Sequence, residues 1–236
     1  MIASLVMLAT MVGLGVPTAI VFIPWTILTG NANALYTISL KITRAALFLA
    51  GIRVEVVGRE LIPARTACIF MSNHVSNLDP PALIPCIPGR TSVYIKRSLT
   101  RIPILGYAFR LGEFVPVDRD GRVESAQESV AAARRVMEKG LHITTFVEGT
   151  RSRDGRLLPF KKGPFYLAKE AGAPCIPVSV YGTETMMAKG SLRVRTGTAH
   201  IVFHAPIYPG NYDTREELLD AVRAAIASGL PEWMRT

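Results

Sequence analysis

Cys68-Ile69-Phe70-Met71-Ser72-Asn73-His74-Val75-Ser76-Asn77-Leu78-Asp79 changes character in its middle. Cys68–Met71 is a short apolar run that reads as a buried strand, and a polar loop follows it at once. The same arrangement returns at Ile143–Val147, which leads into Phe146-Val147-Glu148-Gly149-Thr150-Arg151-Ser152. Outward from these two points, β-rich runs recur at Arg53–Val57, Ser92–Ile95, Phe114–Val117, Ile176–Tyr181, Leu192–Arg195 and His200–Phe203. Helical signals lie between and after them. Ser125-x-x-Glu128 predicts a capping box that opens a helix reaching Lys139, with Gly140 as its stop. Thr214-x-x-Glu217 opens another, which carries Leu218, Leu219, Val222 and Ile226 on one face and ends at Gly229. A shorter helix is expected over Phe165–Ala171, ended by Gly172. Strands that alternate with helices argue for an α/β domain around one sheet, and polar loops at strand ends are where such domains place reactive groups.

Ahead of this domain the chain has a different composition. From Met1 to Leu40 there is no Asp, Glu, Lys, Arg or His, and Ile2–Leu28 is almost continuously apolar. That exceeds the roughly 20 residues a membrane span requires. No basic residue precedes the apolar core, so a retained anchor fits better than a cleaved signal peptide. Lys41 and Arg44 follow it, which by the positive-inside tendency puts the following domain on the cytoplasmic side. A second apolar stretch, Ala34–Ala50, leaves two arrangements open. One is a helix that crosses the bilayer; the other is a two-helix motif folded back into one leaflet. The expected division is an anchor over residues 1–50 and an α/β domain over residues 51–236.

The chain of 236 residues holds 27 Lys and Arg against 18 Asp and Glu, a net charge of +9, and is 49% hydrophobic. A chain both basic and apolar suits a membrane surface, an acidic partner or a phosphorylated ligand. Nucleic acid fits poorly, because the basic loops carry Ile, Leu, Pro and Gly rather than aromatic residues on which bases stack. Cys68, Cys86 and Cys175 have neither zinc spacing nor an even disulfide framework. Their apolar surroundings disfavour a thiolate nucleophile. The histidines show no metal-ligand spacing, so no metal is expected. A Gly-x-Ser-x-Gly turn is absent as well.

His74 and Asp79 form a possible base and its orienting carboxylate. Imidazole takes a proton near neutrality, and a carboxylate on one ring nitrogen leaves the other free to face a hydroxyl. The spacing fits a second reading equally: Asn73, Ser76 and Asp79 as turn and helix caps, with His74 incidental. In the Glu148–Ser152 loop, Gly149 permits a sharp turn and Arg151 offers a planar fork of donors suited to phosphate. A structural turn with a solvated charge pair would look the same. Basic residues crowd around both loops, at Lys96, Arg97, Arg101, Arg110 and Arg119, and again at Arg153, Arg156, Lys161 and Lys162.

At these residues the chain resembles the glycerolipid acyltransferases, and among them the bacterial 1-acyl-glycerol-3-phosphate acyltransferases. Asn73, His74 and Asp79 match their Asn-His-x4-Asp hallmark. Phe146 through Ser152 matches Phe-Pro-Glu-Gly-Thr-Arg-Ser, with Val147 in place of proline. Lys96, Leu99, Ile102, Pro103 and Gly106 match a lysine-containing segment, and Gly112 through Arg119 matches a block ending Asp-Arg that is here one residue longer. Phe160-Lys161-Lys162-Gly163 and Ile176-Pro177-Val178 complete the order. The resemblance implies an α/β fold with a mixed sheet flanked by helices and an N-terminal hydrophobic anchor. It implies acyl transfer from a thioester, acyl-CoA or acyl carrier protein, to the free hydroxyl of lysophosphatidic acid at a membrane, with no cofactor. His74 would be the general base and Asp79 its orienter. Arg119, Lys96 and Arg151, with Thr150 and with Glu148 and Gly149 shaping the loop, would hold the acceptor phosphate. Two rivals stand beside this reading. One is another acceptor, such as glycerol 3-phosphate, a different lysophospholipid or a lyso-aminolipid; the other is a non-catalytic adaptor for anionic lipid.

Overall fold

A computed structural model describes residues 1–117 and 123–235, with backbone alone over 123–126. Arg119, the basic residue expected after the fourth strand, lies outside the described residues. Among the described residues seven strands form one sheet: β1 (Ile52–Val57), β2 (Ile69–Ser72), β3 (Thr91–Lys96), β4 (Val115–Val117), β5 (His142–Phe146), β6 (Cys175–Tyr181) and β7 (Gly197–Phe203). Their order is β1-β7-β6-β2-β5-β3-β4. From β6 to β4 neighbours run parallel, while β7 is antiparallel to β6 and carries β1 parallel to itself. The sheet is therefore mixed. The carboxyl ends of β6, β2, β5, β3 and β4 share one edge.

The central position of β2 explains its continuous apolar run, because a parallel strand covered on both faces has no solvent side. Ile69 and Met71 point into a core with helices α5 (Val123–Glu138), α6 (Gly163–Ala171) and α8 (Arg215–Ser228). Cys68 and Phe70 point the other way, toward α2 (Asn33–Leu49) and α3 (Asp79–Leu83). The capping box of α8 forms as its spacing demands: the Thr214 hydroxyl accepts from Glu217 N, and the Glu217 carboxylate accepts from Thr214 N. Helix α5 starts at Val123, two residues ahead of the box expected at Ser125. Two further helices complete the set, α4 (Leu105–Leu111) and α7 (Thr183–Met186).

The strand expected at Leu192–Arg195 does not form. Its backbone donors go elsewhere: Val194 N to the Ser4 hydroxyl at 2.8 Å, and Arg195 N to the Met186 carbonyl at 2.9 Å. An extended segment whose hydrogen bonds are spent on two helices has none left for a ladder.

Helix α1 (Ile2–Thr29) is continuous through Pro17 and Pro24, ends on Gly30 in the left-handed conformation, and is long and apolar enough to cross a membrane. It packs along α2 and leaves Leu5, Leu8, Ile20, Ile27 and Leu28 exposed. Helix α2 behaves differently, burying Leu35, Ile42, Ala46 and Leu47. Leu47 and Ala50 belong to the same core as β1, β6 and β7, so a boundary at residue 50 runs through shared packing. Burying a Leu or Ile side chain contributes about 1.5–3 kcal/mol. Three of them on α2 thus match a large share of the ~5–15 kcal/mol by which domains are stable. A chain starting at Asn31 should keep a cooperative thermal transition, whereas one starting at Gly51 should lose it and aggregate. Equal transitions in the two truncations would show that α2 is dispensable to the domain.

Candidate active site

The polar loop after β2 is built around one carboxylate. Asp79 is fully buried at the start of α3. Its Oδ2 accepts from His74 Nδ1 at 2.7 Å, from Val75 N at 2.7 Å and from Ser76 N at 2.8 Å. Its Oδ1 accepts from the hydroxyl of Thr183, in α7, at 2.5 Å. Four donors replace the water that a buried carboxylate loses, and bonds to a charged acceptor are among the strong ones. The four-residue spacing between His74 and Asp79 makes this possible: the chain turns between them, so the two backbone N–H groups and the imidazole converge on one oxygen.

The imidazole is held in plane by stacking on Phe146, with ring centroids 4.1 Å apart and 25° between planes. With Nδ1 bonded to Asp79, Nδ1 carries the proton and Nε2 presents its lone pair. Nε2 has no protein partner among the described residues, and the side chain keeps 13% of its exposure. A base with one nitrogen tied and the other open can take a proton from a hydroxyl brought to it.

The loop after β5 grips the backbone of the same histidine. Ser152 N donates to the His74 carbonyl at 2.8 Å, and His74 N donates to Glu148 Oε1 at 3.2 Å. Ladder registers Met71↔Thr145 and Ser72↔Phe146 bring the two loops side by side. Gly149 makes the turn, with φ of +69° and a position where a Cβ would meet Lys161 Cγ at 3.0 Å. Asn73 pins the other flank. Its amide donates to the Val180 carbonyl and accepts from Val180 N, both at 2.8 Å, which extends the β2–β6 pairing by one side chain.

The remaining residues singled out in the sequence are distributed around this edge. Glu148 is turned inward, 2% exposed, where it shapes the loop rather than facing solvent. Burial above all raises its carboxyl from an ordinary value of about 4.5 to about 8, with the nearby charge of Asp79 acting in the same direction. Arg151 is half-buried, and its Nη1 is buried without a hydrogen-bond partner among the described residues. Thr150 is exposed, and its hydroxyl faces the Lys189 ammonium at 3.4 Å. Lys96 is exposed at the carboxyl end of β3, two strands from β2. Lys162 is drawn away to Glu216, at 3.2 Å.

The other histidines and the cysteines serve packing. His142 Nδ1 accepts from Cys68 N, His204 Nε2 meets the Ser179 hydroxyl, and His200 pairs with Glu55. Burial pushes the Cys68 thiol up to about 11 and that of Cys175 to about 12, far from a reactive thiolate. Two contributors escaped the sequence reading: Thr183, 104 residues beyond Asp79, and Lys189, which donates to the Arg151 carbonyl at 2.6 Å. No local spacing announces either, since contact comes only through the pairing of β6 with β2.

A family model described as Acyltransferase matches residues 53–181. A 1-acyl-sn-glycerol-3-phosphate acyltransferase of Limnanthes douglasii is 32% identical over 188 residues, covering 80% of this chain and 66% of that protein. A chloroplastic one of Brassica napus is 35% identical over 182 residues, covering 75% and 51%. The human alpha form is 30% identical over 173 residues, covering 72% and 61%. The chain thus spans from about half to about two thirds of these relatives. The crystal structure of the 1-acyl-sn-glycerophosphate acyltransferase PlsC from Thermotoga maritima superposes with a TM-score of 0.81 and 27% identity, over 98% of this chain and 95% of that one.

The raised Glu148 carboxyl has a consequence for stability. Folded protein keeps its proton at a pH where the unfolded chain, near 4.5, has released it. Stability from this group therefore falls as pH rises from about 4.5 to about 8 and levels above. Glu148→Gln removes that slope. Its thermal midpoint relative to wild type should rise between pH 5 and pH 9, and a difference that stays constant would place the titration elsewhere.

Proposed function

The chain belongs to the acyltransferase family, and on that premise we propose that it acylates the sn-2 hydroxyl of 1-acyl-glycerol 3-phosphate to give phosphatidic acid. The observation that carries the reading is the His74–Asp79 pair, with Nδ1 bonded at 2.7 Å and Nε2 open on the carboxyl edge of the sheet. In the reaction Nε2 takes the proton of the acceptor hydroxyl as its oxygen attacks the carbonyl carbon of an acyl thioester. Asp79 stabilises the imidazolium that forms. The tetrahedral intermediate collapses by breaking the C–S bond, and the departing sulfur takes the proton from Nε2, which releases a free thiol and restores the neutral imidazole. No acyl-enzyme is needed, in keeping with the buried Cys68 and Cys175 and with the raised thiols of all three cysteines. The thioester is a substrate, acyl-CoA or acyl carrier protein, and no cofactor takes part.

Arg151, with its unpartnered Nη1, together with Thr150, Lys96 and Arg119, holds the acceptor's phosphate by charge-assisted bonds. Holding hydroxyl and thioester together converts a bimolecular step into an effectively unimolecular one. The acceptor is a membrane lipid, and α1 keeps the site at its surface. Contact between Ser4 and Val194 near one end of α1, and of Asn33 with Arg90 just beyond the other, supports an anchor that lies along the domain within one leaflet. We place that leaflet as the cytoplasmic face of the inner membrane, from Lys41 and Arg44 behind the apolar start. Arg44 also donates to the Pro85 carbonyl, which ties α2 to the domain.

Purified protein in mixed micelles, given lysophosphatidic acid and each thioester donor, should form phosphatidic acid by mass spectrometry. His74→Ala should lower the rate by about 10²–10⁴-fold. Arg151→Ala should raise the acceptor's KM far more than the donor's, as expected when ground-state binding is lost. Product from glycerol 3-phosphate or a lyso-aminolipid alone would reassign the acceptor. No product from any pair would favour an anionic-lipid adaptor.

A further inference from the structure

We infer that Thr183 is a positioning residue for the proposed base, acting through Asp79. The inference rests on the His74–Asp79 reading above and extends it to a segment that no sequence block covers. The last of those blocks ends at Val178, and the family model ends at residue 181.

Thr183 is fully buried, and its hydroxyl donates to Asp79 Oδ1, the oxygen that does not touch His74. The remaining three donors of Asp79 all converge on Oδ2. A carboxylate held at one oxygen alone still turns about its Cβ–Cγ bond and about the clustered contacts. Fixing Oδ1 as well sets the plane of the carboxylate and so the direction in which Oδ2 meets Nδ1. It also satisfies the second buried oxygen, which has no other donor among the described residues. Left without one, that oxygen would be a buried acceptor with no donor, which is costly, and the carboxylate would be drawn away from its alignment with Nδ1.

The surroundings of Thr183 fit this role. Gly182 places it, with φ of +89°, where a Cβ would lie 2.3 Å from the Thr198 carbonyl oxygen. The same short segment touches the site twice more. The Met187 carbonyl accepts from the Ser76 hydroxyl at 2.7 Å, and Lys189 donates to the Arg151 carbonyl at 2.6 Å. One turn after β6 therefore braces the base-bearing loop and the Arg151 loop together. Thr183 is the part of it that reaches the dyad.

Thr183→Val removes the hydroxyl at nearly constant shape, and Thr183→Ser keeps it. In the full-length protein with lysophosphatidic acid and acyl-CoA, we expect Thr183→Val to lower kcat by about 10- to 100-fold, the usual cost of removing a support behind a working residue. KM for the acceptor should stay within about twofold, and Thr183→Ser should restore kcat to within about threefold of wild type. If Thr183→Val does not fold, Thr183→Cys, with a weakly donating thiol, replaces it in the comparison. A kcat near wild type in the valine variant overturns the inference. So does a loss that serine fails to restore, or a change confined to KM. His74→Ala, measured alongside, separates the two claims. An active His74→Ala defeats the base reading itself, whereas an inactive one beside a normal Thr183→Val defeats the positioning role alone.

Discussion

A carboxylate with no exposure to water is the constraint around which this edge of the molecule is organised. Asp79 would destabilise the fold if it were buried alone, because isolated ionised groups are costly to desolvate. Four donors remove that cost, and they come from two separate parts of the chain: the loop after β2 and the turn after β6. Each has to be delivered by the sheet. The β2–β6 register and the Asn73 bridge to Val180 set the distance between those two parts. The histidine is then fixed from the other side, by Phe146 against its ring and by Ser152 and Glu148 on its backbone.

The parallel run of five strands determines what surrounds this pair. Loops leaving β2, β5 and β6 meet at one edge, and Lys96 and the end of β4 lie farther along it. Basic side chains that are scattered in the sequence are thereby drawn to one side. Ligands of open α/β sheets bind outside the carboxyl ends of strands for this geometric reason. The apolar helix α1 packs along α2 and touches α4 and Val194, so the same framework fixes where this long apolar helix lies relative to the site.

Much of this was legible because its causes are local. The burial of β2 and β5 follows from unbroken apolar runs, and the start of α8 from a capping box four residues long. The pairing of His74 with Asp79 is favoured by a spacing that lets one turn fold onto a carboxylate. Spacing alone left incidental caps as an equal alternative, and the resemblance of the surrounding blocks favoured the pair. What escaped was non-local. Thr183 acts on a residue 104 positions away, and no pattern near either end reveals it. Leu192–Arg195 has strand-like residues but spends its backbone donors on Ser4 and Met186. The inward turn of Glu148 depends on the tertiary packing of two loops, as does the burial that raises its carboxyl. Helix α2, apolar enough to be grouped with the anchor, proves to be part of the domain's cover.

The central claim is that Asp79 holds His74 with Nδ1 protonated and Nε2 directed at the acceptor. Nitrogen-15 NMR of histidine-labelled protein in micelles, with His74 assigned by loss of its signals in His74→Gln, reads this without relying on turnover. The account predicts a protected Nδ1–H resonance in the neutral imidazole, with the Nε2 signal moving when lysophosphatidic acid is added without a donor. A proton found on Nε2 instead, or an Nε2 signal indifferent to the acceptor, would contradict it.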